Sequence, residues 1–464
     1  MSDEQIVPPS TARWKKIGTA LLLAIAAACL TLFFFSPRLM LWNGFFLPEV
    51  DRAHDTLRQL ANPFDLIPNH NSRVNQWRLL FPVLGNVAHL SDWQFLSLPF
   101  VGCIATLFYV VRICQRHELS TLESFFVVAL AAMSPWYFVS TGWLAYFDSW
   151  LILLMLVASF SNNPWSIGAA CLLAPWIDER FVIALPIVLL ARIVLGIRFS
   201  KDAYDLKKSV AVIAGATAVY LVVRAFAFFG GADNVTDVYV QEHLKLIQSV
   251  PPKNFLFGAW FGQRLLWGFA GFFLYFCYLK FRPAGFWATV VVVIGMICIA
   301  LVIAGDMHRS MEMLFPICIV GVLLSKDWLG QRYALVLGCV LVVCVLLPAK
   351  HQLWLESYRI ASLTEELGRT PMTSDERIQA GVLRASQLAE EGDNVGAELI
   401  VKQCVAIDDQ LPDIYFFYGT MLIKGGRYRD AADQFKLAME VGGPAWPGYA
   451  DCQDAISVLS RRTQ

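Results

Sequence analysis

The stretch 305-GDMHRSMEMLFP-316 brings an aspartate, a histidine and an arginine close together between two long apolar runs. The chain has 464 residues, of which 57% are hydrophobic and only 16% are charged, and its mean hydropathy is +0.54. A soluble core does not need so many apolar residues, and here they come in blocks, which indicates a polytopic membrane protein. We therefore expect Asp306, His308 and Arg309 to lie close to lipid.

The apolar blocks predict an all-α membrane protein with about eleven transmembrane helices. The first block starts at Ile17 and lacks the small-residue cleavage site of a signal peptide, so we expect it to be retained. Two short blocks on either side of 174-APWIDER-180 are typical of a broken helix pair that meets in or near the membrane. The later spans are predicted near 95–112, 121–139, 144–160, 165–176, 180–196, 208–229, 256–279, 286–304, 310–325 and 333–348.

The positions of the basic residues predict a topology, because cytoplasmic connections are enriched in Lys and Arg. Basic residues fall on alternate connections, beginning with Arg13, Lys15 and Lys16. Residues 1–16 should therefore be cytoplasmic, whereas the loop 38–94, the 178–180 turn, the Asp306 turn and the C-terminal tail should lie outside.

The chain has 37 basic and 37 acidic residues, and this balance gives no reason to expect a nucleic-acid partner. We expect a multi-pass protein of the bacterial inner-membrane type.

The C-terminal segment 375–464 carries an internal repeat. Gly426, Ala431 and Ala438 follow Gly392, Ala397 and Cys404 at a constant offset of 34 residues. With Gly419, Tyr428 and Phe435, this pattern resembles two tetratricopeptide repeats plus a capping helix, after a linker helix at 351–374. Fewer than three repeats are marginal alone, so we expect this part to contact the membrane domain or a protein partner.

Most of the 11 cysteines lie in predicted spans, where they act as small apolar fillers. Cys404 and Cys452 lie in the predicted outer tail and would either form a disulfide or fill packing positions of the repeat, and packing is favoured. No Cys and His spacing typical of a structural metal occurs, so the sequence predicts no metal site.

The first outer loop contains a predicted helix along the membrane surface. Its apolar residues recur at helical spacing, and charged residues occupy the other faces. The segment 78-RLLFPVLGNVAHL-90 follows and is too short to span a membrane. The apolar residues are Phe46, Val50, Leu57 and Leu60, and the charged ones are Asp51, Arg52, His54 and Asp55.

Taken together, these features resemble the GT-C superfamily of membrane glycosyltransferases over roughly residues 10–350. A first span precedes a long outer loop that opens with an acidic residue and contains the R-L-L-x-P segment at Arg78. The 178-DER-180 turn and the D-x-x-R of Asp306 and Arg309 follow, before a span that contains Pro316. The resemblance implies a transmembrane domain at 17–350 that transfers a sugar from a polyprenyl-phosphate carrier. The acceptor would be a glycan, a lipid or a protein on the outer face.

The resemblance also implies roles for particular residues. Asp51 would be the base that accepts a proton from the acceptor hydroxyl, with Glu49 and Asp55 as competitors, because a general base must be ionised and within hydrogen-bond reach. Arg309, Arg180 and Arg78 would bind the phosphate of the leaving carrier through their planar guanidinium groups. His308 would be a further donor or proton carrier, Asp306 would orient Arg309, and Glu179 belongs to the same turn as Arg180. A membrane lipid carrier is thus the expected partner.

Other interpretations stay open at this point. Asp306 could cap the next helix while Arg309 reaches towards headgroups; Asp178 and Glu179 could merely neutralise Arg180; and Asp148 could line the same cavity or cap its helix. Arg264 is a weaker phosphate ligand. The first outer loop lacks the paired acidic residues of protein mannosyltransferases, and the chain has no WWDxG motif, so a divalent metal is possible but not indicated. The alternative functions are a surface-polysaccharide polymerase or ligase, and a non-enzymatic transporter or assembly scaffold that acts through the repeats.

Overall fold

The computed structural model describes residues 9–38, 51–64, 75–199, 204–229, 245, 247–303, 305–355, 357–368, 373–390 and 392–462. Within these ranges the chain is almost entirely helical, and the sheet is limited to one two-stranded hairpin. The all-α prediction is therefore confirmed. The chain divides into two compact units, the first formed by Met1–Arg38, Gln59–Pro63 and Trp77–Leu367, and the second by Leu39–Arg58, Phe64–Gln76 and Gly368–Gln464.

The helices up to the hairpin are α1 (Pro9–Phe34), α2 (Asp51–Ala61), α3 (Leu80–Val87), α4 (Asp92–Arg116), α5 (Thr121–Ala132), α6 (Pro135–Gly142), α7 (Asp148–Phe160), α8 (Pro164–Leu173), α9 (Arg180–Arg198), α10 (Leu206–Phe229), α11 (Pro252–Gln263), α12 (Leu266–Lys280), α13 (Pro283–Val302), α14 (Met307–Ser310), α15 (Phe315–Leu329) and α16 (Tyr333–Leu346). Short 3-10 turns occupy Ala174–Trp176, Met311–Leu314 and Gly330–Arg332. The hairpin pairs β1 (Lys350–Gln352) with β2 (Ser357–Arg359) in antiparallel register.

Six helical segments among the described residues are long and apolar enough to cross a membrane, or seven if one bent pair counts as a single span. This supports an integral membrane protein. The predicted count of eleven spans remains a prediction. The six segments are Trp14–Phe34, Asp92–Arg116, Arg180–Arg198, Leu206–Phe226, Pro283–Val302 and Met307–Leu346.

Three predicted elements differ from the structure. The predicted span 121–139 is bent by 60° between α5 and α6, because Pro135 starts a new helix. The second member of the predicted short pair, α9, has 19 residues and is itself long enough to cross. The predicted linker helix 351–374 is instead the hairpin followed by the short helix α17 (Leu363–Gly368).

Close helix contacts position the core of the first unit. A side chain at Gly321 of α15 would overlap the carbonyl oxygen of Phe269 on α12, so only glycine allows these two helices to approach so closely. Between α4 and α7, the Thr106 hydroxyl donates to the Ser149 carbonyl at 2.7 Å and the Ser149 hydroxyl donates to the Pro99 carbonyl at 2.8 Å. These hydrogen bonds satisfy polar groups that lipid could not.

The second unit contains α18 (Ser374–Glu390), α19 (Asn394–Ile407), α20 (Pro412–Lys424), α21 (Tyr428–Gly442) and α22 (Tyr449–Arg462). In sequence order, α18 packs on α19, α20 on α21, and α21 on α22. The predicted packing positions Ala431, Phe435 and Ala438 are buried. Cys404 and Cys452 are buried and free, in agreement with a packing role. The resemblance of this unit to tetratricopeptide repeats remains a prediction.

Part of the predicted surface helix belongs to the second unit. Arg58 of α2 forms an ion pair with Asp393 at 2.9 Å, and the exposed fractions of the two side chains are 13% and 7%. Asp393 also caps α19, because its carboxylate accepts the backbone N–H of Gly396 at 2.9 Å. The helix predicted for this loop is therefore present as α2.

Candidate functional site

The turn before α9 holds Arg180 in a rigid position. The Asp178 carboxylate accepts the Arg180 backbone N–H at 3.0 Å, and it also accepts Nε and Nη2 of the same residue at 2.9 Å each. The guanidinium group is thus bound in a bidentate manner by its own turn. Its remaining Nη1 donates to the backbone carbonyl of Arg309 at 2.9 Å, which connects the start of α9 to the start of α14.

Asp148, the first residue of α7, joins the two arginines. Its side chain is fully buried and accepts hydrogen bonds from Arg180 Nη2 and from Arg309 Nε, the latter at 2.6 Å. Arg309 Nη2 also contacts Asp178 at 3.2 Å. Two acids and two arginines therefore form a closed cluster. Asp148 serves this cluster, and its side chain does not cap its own helix.

Arg78 lies at the more exposed edge of this cluster. Its Nη1 is 3.0 Å from Asp178, and its Nε is 3.1 Å from Glu179. The exposed fraction is 14% for Arg78 and 29% for Glu179. The structure therefore brings together the three predicted arginines and Glu179, and it adds Asp148 and Asp178. We call Asp148, Asp178, Glu179 and the three arginines the arginine cluster.

Charges within the arginine cluster balance, since three carboxylates face three guanidinium groups. A phosphate could bind only by exchanging with a carboxylate or by joining an arginine that keeps its acid. Arg309 additionally lies over the ring of Tyr146, with its guanidinium carbon 4.6 Å from the ring centre. Arg78, Arg180 and Arg309 are thus each already paired with an acid.

Glu312 was missed by the sequence analysis. It lies in the 3-10 turn after α14, is only 1% exposed, and neither carboxylate oxygen has a hydrogen-bond partner among the described residues. A buried polar group without a partner is costly, so it needs an explanation. The sequence signal for its place in the site was its position three residues after Arg309. The apolar residues on both sides of Glu312 favoured a membrane span there instead.

Asp306 caps α14 and contacts two histidines. Its carboxylate accepts the backbone N–H of Arg309 at the start of α14, so the helix-capping interpretation is correct. The Arg309 guanidinium is held by Asp148 and Asp178, which corrects the expectation that Asp306 orients it. Instead, the Asp306 side chain faces His308 and His351 at 3.2 and 3.3 Å.

Asp306, His308 and His351 are the described residues that could hold a metal ion. One ligand atom from each lies within 4.8 Å of the others. His351 comes from β1 and is distant in sequence from the other two, so no short motif could have indicated it.

The three predicted base residues are placed differently. Glu49 lies outside the described residues. Asp51 starts α2, although its side chain lies outside the described part of the structure. Asp55 is buried, with 6% of its surface exposed. Asp51 and Asp55 both belong to the second unit, whereas the three predicted arginines belong to the first.

Two further buried arginines are structural. Arg264, the weaker phosphate candidate, donates to the backbone carbonyls of Met133, Cys344 and Leu347. Arg192 donates to the carbonyls at the end of α7 and beyond. Both satisfy carbonyl groups at helix ends and neither contacts a carboxylate within the described ranges. The guanidinium of Arg264 is therefore used by backbone carbonyls, and its role as a weaker phosphate ligand remains a prediction.

A cavity of about 150 Å³ adjoins Arg192, and it is lined by Asn162, Pro164, Ile167, Asp205, Lys208 and Ser209. Ligand pockets typically exceed about 300 Å³, so this cavity is too small for a sugar lipid.

With this geometry in view, the chain was compared with protein-family models, with curated proteins and with solved structures, and none of the three comparisons finds a match.

Proposed function

We propose that this protein is a membrane glycosyltransferase that moves a sugar from a polyprenyl-phosphate carrier to a glycan, lipid or protein acceptor on the outer face of the membrane. The observation that carries the proposal is the arginine cluster, in which Arg180 and Arg309 are buried beside helices long enough to cross a membrane. Charged groups buried in a membrane protein are costly and are usually retained for function.

The helix ends favour an anion at the same place. Helices α7 and α9 both begin at the arginine cluster, with Asp148 and Arg180 as their first residues. The N-terminus of a helix carries a partial positive charge and therefore attracts a phosphate. Two helix ends and three guanidinium groups thus supply positive charge that the three carboxylates balance in the absence of a ligand.

The proposed reaction requires a base and a stabilised leaving group. The acceptor hydroxyl attacks the anomeric carbon, its proton passes to a carboxylate, and the bond from the sugar to the carrier phosphate breaks. Arg309 and Arg78 would exchange part of their carboxylate contacts for the leaving phosphate, whose negative charge they stabilise. Asp51 is the proposed base, with Glu49 and Asp55 as competitors.

Complete pairing of the arginines favours one other function. If the arginine cluster only holds α7, α9 and α14 together, the protein would be a non-enzymatic scaffold or transporter that works through its second unit. A polysaccharide polymerase or ligase would use the same kind of lipid-linked substrate, and would differ in the length of the product.

Mass spectrometry of polyprenyl-linked sugars and surface glycans tests the proposal. Cells that carry the wild type, a deletion, Arg309→Ala, Asp51→Asn or the control Arg198→Ala would be compared. Arg198 lies at the other end of α9 and forms an exposed pair with Asp327, so its loss should leave the glycans unchanged.

The expected result is that Arg309→Ala and Asp51→Asn, at normal protein levels, accumulate the same lipid-linked sugar as the deletion. If both variants restore the glycans fully while removal of residues 375–464 does not, the scaffold interpretation replaces the transferase. A shift in glycan chain length without accumulation of the donor would indicate the polymerase.

A further inference from the structure

Three ligand-type side chains converge from two separate parts of the first unit. Asp306 and His308 lie at the start of α14, and His351 is the central residue of β1. Asp306 Oδ1 is 3.2 Å from His308 Nδ1, and Asp306 Oδ2 is 3.3 Å from His351 Nε2. Each carboxylate oxygen thus faces one imidazole, and the two rings meet edge to face with centres 4.2 Å apart.

From this arrangement we infer that Asp306, His308 and His351 form a binding site for a divalent transition-metal ion, for which zinc is the best fit. The inference concerns these residues alone and does not depend on the transferase proposal. No sequence motif indicates the site, because His351 is contributed by a hairpin.

The spacing fits a metal. Zinc binds imidazole nitrogen and carboxylate oxygen at about 2.0–2.2 Å in a tetrahedron, so neighbouring ligand atoms are separated by about 3.3 Å. The two Asp306 contacts, at 3.2 and 3.3 Å, are close to this separation, each measured from a different carboxylate oxygen, and one ligand atom from each of the three residues lies within 4.8 Å of the others. A small movement of the side chains would direct all three ligand atoms towards one point.

Hydrogen bonding within the chain does not satisfy these side chains. The second nitrogen of each ring, His308 Nε2 and His351 Nδ1, is buried and has no hydrogen-bond partner among the described residues. The exposed fractions of the two histidine side chains are only 1% and 3%. Either nitrogen of an imidazole can bind a metal, so an ion bound through the unpaired nitrogens would satisfy buried atoms that the chain leaves without a partner.

The local charge favours a cation. Asp306 contacts no arginine side chain closely enough to form an ion pair within the described ranges, and it is paired only with histidines. Glu312 is buried nearby and interacts electrostatically with Asp306. The Asp306 carboxylate is thus available to neutralise part of the charge of a divalent cation.

The surroundings hold the ligands in place. Trp143 stacks on His351 with ring centres 4.2 Å apart. The Trp354 backbone N–H donates to the Gly305 carbonyl at 2.8 Å, which joins the hairpin to the turn before α14. Because orientation of the ligands is already fixed, little entropy would be lost on binding.

The ligand set also selects the metal. Mg²⁺ and Ca²⁺ prefer oxygen ligands, whereas two imidazoles and one carboxylate suit zinc and other late first-row metals. Three protein ligands leave at least one coordination position for water or for an oxygen of a substrate. Such an ion would also connect β1 to α14.

Metal analysis of the purified full-length protein in detergent tests this inference. Wild type, His308→Gln, His351→Gln and the control His117→Gln are stripped with a chelator, exposed to zinc or magnesium chloride, desalted and analysed by mass spectrometry. Glutamine retains a hydrogen-bond donor towards Asp306 but is a poor zinc ligand. His117 packs on Phe199, remote in sequence from the three ligand residues.

The expected result is retention of about one zinc per chain by wild type and His117→Gln, with at least a tenfold loss in the other two variants. Zinc should raise the unfolding temperature of wild type and His117→Gln only. The same measurement shows whether the other variants are folded. Equal retention in wild type and His351→Gln, no retention in wild type, or a preference for magnesium would overturn the inference.

Discussion

Replacing Asp148 with asparagine should strongly destabilise the first unit. The Asp148 side chain is fully buried, and its carboxylate pairs with Arg180 and Arg309, whose exposed fractions are 7% and 9%. Asparagine has nearly the same volume but no charge, so Arg180 and Arg309 would keep only Asp178, which Arg78 also contacts. Removal of one partner from a buried ion pair costs about 3–5 kcal/mol, because the remaining charge is left uncompensated.

A matched control exists at the other end of α9, where Arg198 pairs with Asp327 of α15. Asp327→Asn makes the same chemical change in the pair of Arg198 with Asp327, where the exposed fractions are 38% and 41%. Exposed pairs contribute at most about 1 kcal/mol, since water and salt screen them.

Thermal unfolding of the detergent-solubilised protein, followed by tryptophan fluorescence, measures both variants. We expect Asp148→Asn to lower the unfolding temperature several times more than Asp327→Asn. Equal shifts would refute the description of the arginine cluster as a buried ionic network.

Three further predictions concern packing, capping and pH. Gly321→Ala should destabilise the protein by about 1–3 kcal/mol, because its methyl group would overlap a backbone carbonyl of α12; Gly295→Ala, with open space around it, is the control in thermal unfolding, and equal effects would contradict the close approach. Asp393→Ala removes both a helix cap and an ion pair and should cost about 1–3 kcal/mol, measured as faster limited proteolysis of the C-terminal helices; unchanged proteolysis would contradict it. Burial raises the pKa of Glu398, but a hydrogen bond from Tyr418 and nearby basic side chains outweigh it, so the pKa lies below its usual value. Its contribution to stability should therefore be complete above about pH 4.3 and lost as the pH falls through the lower folded-state pKa; Tyr418→Phe should reduce this acid dependence in unfolding measurements, and an unchanged profile would refute the assignment.

Hydropathy and repeat spacing are enough to predict the fold class and several packing positions. The apolar blocks predict the helices because a membrane segment must satisfy its own backbone. The spacing of Ala431, Phe435 and Ala438 predicts a buried helix face, and all three are buried. By contrast, the bend before Pro135 was missed, although a serine followed by a proline is a signal for the start of a helix.

Pairing among charged residues could not be predicted from the sequence. Asp306 is close in sequence to Arg309, yet Asp148 on a distant helix holds the Arg309 guanidinium. The same reason explains why His351 was missed, since its strand has only three residues and shows no useful alternation. Sequence patterns identify which turns carry charge, but tertiary packing decides which charges meet.

The most direct test of the central claim is binding of a polyprenyl phosphate to the purified protein, measured by native mass spectrometry for wild type, Arg309→Ala and the control Arg198→Ala. Loss of a charged hydrogen bond of about 1.5–3 kcal/mol corresponds to at least a tenfold loss of affinity. We predict that wild type and Arg198→Ala bind the lipid equally and that Arg309→Ala binds it at least tenfold more weakly. Equal binding by all three proteins would contradict the claim that the arginine cluster recognises the carrier phosphate.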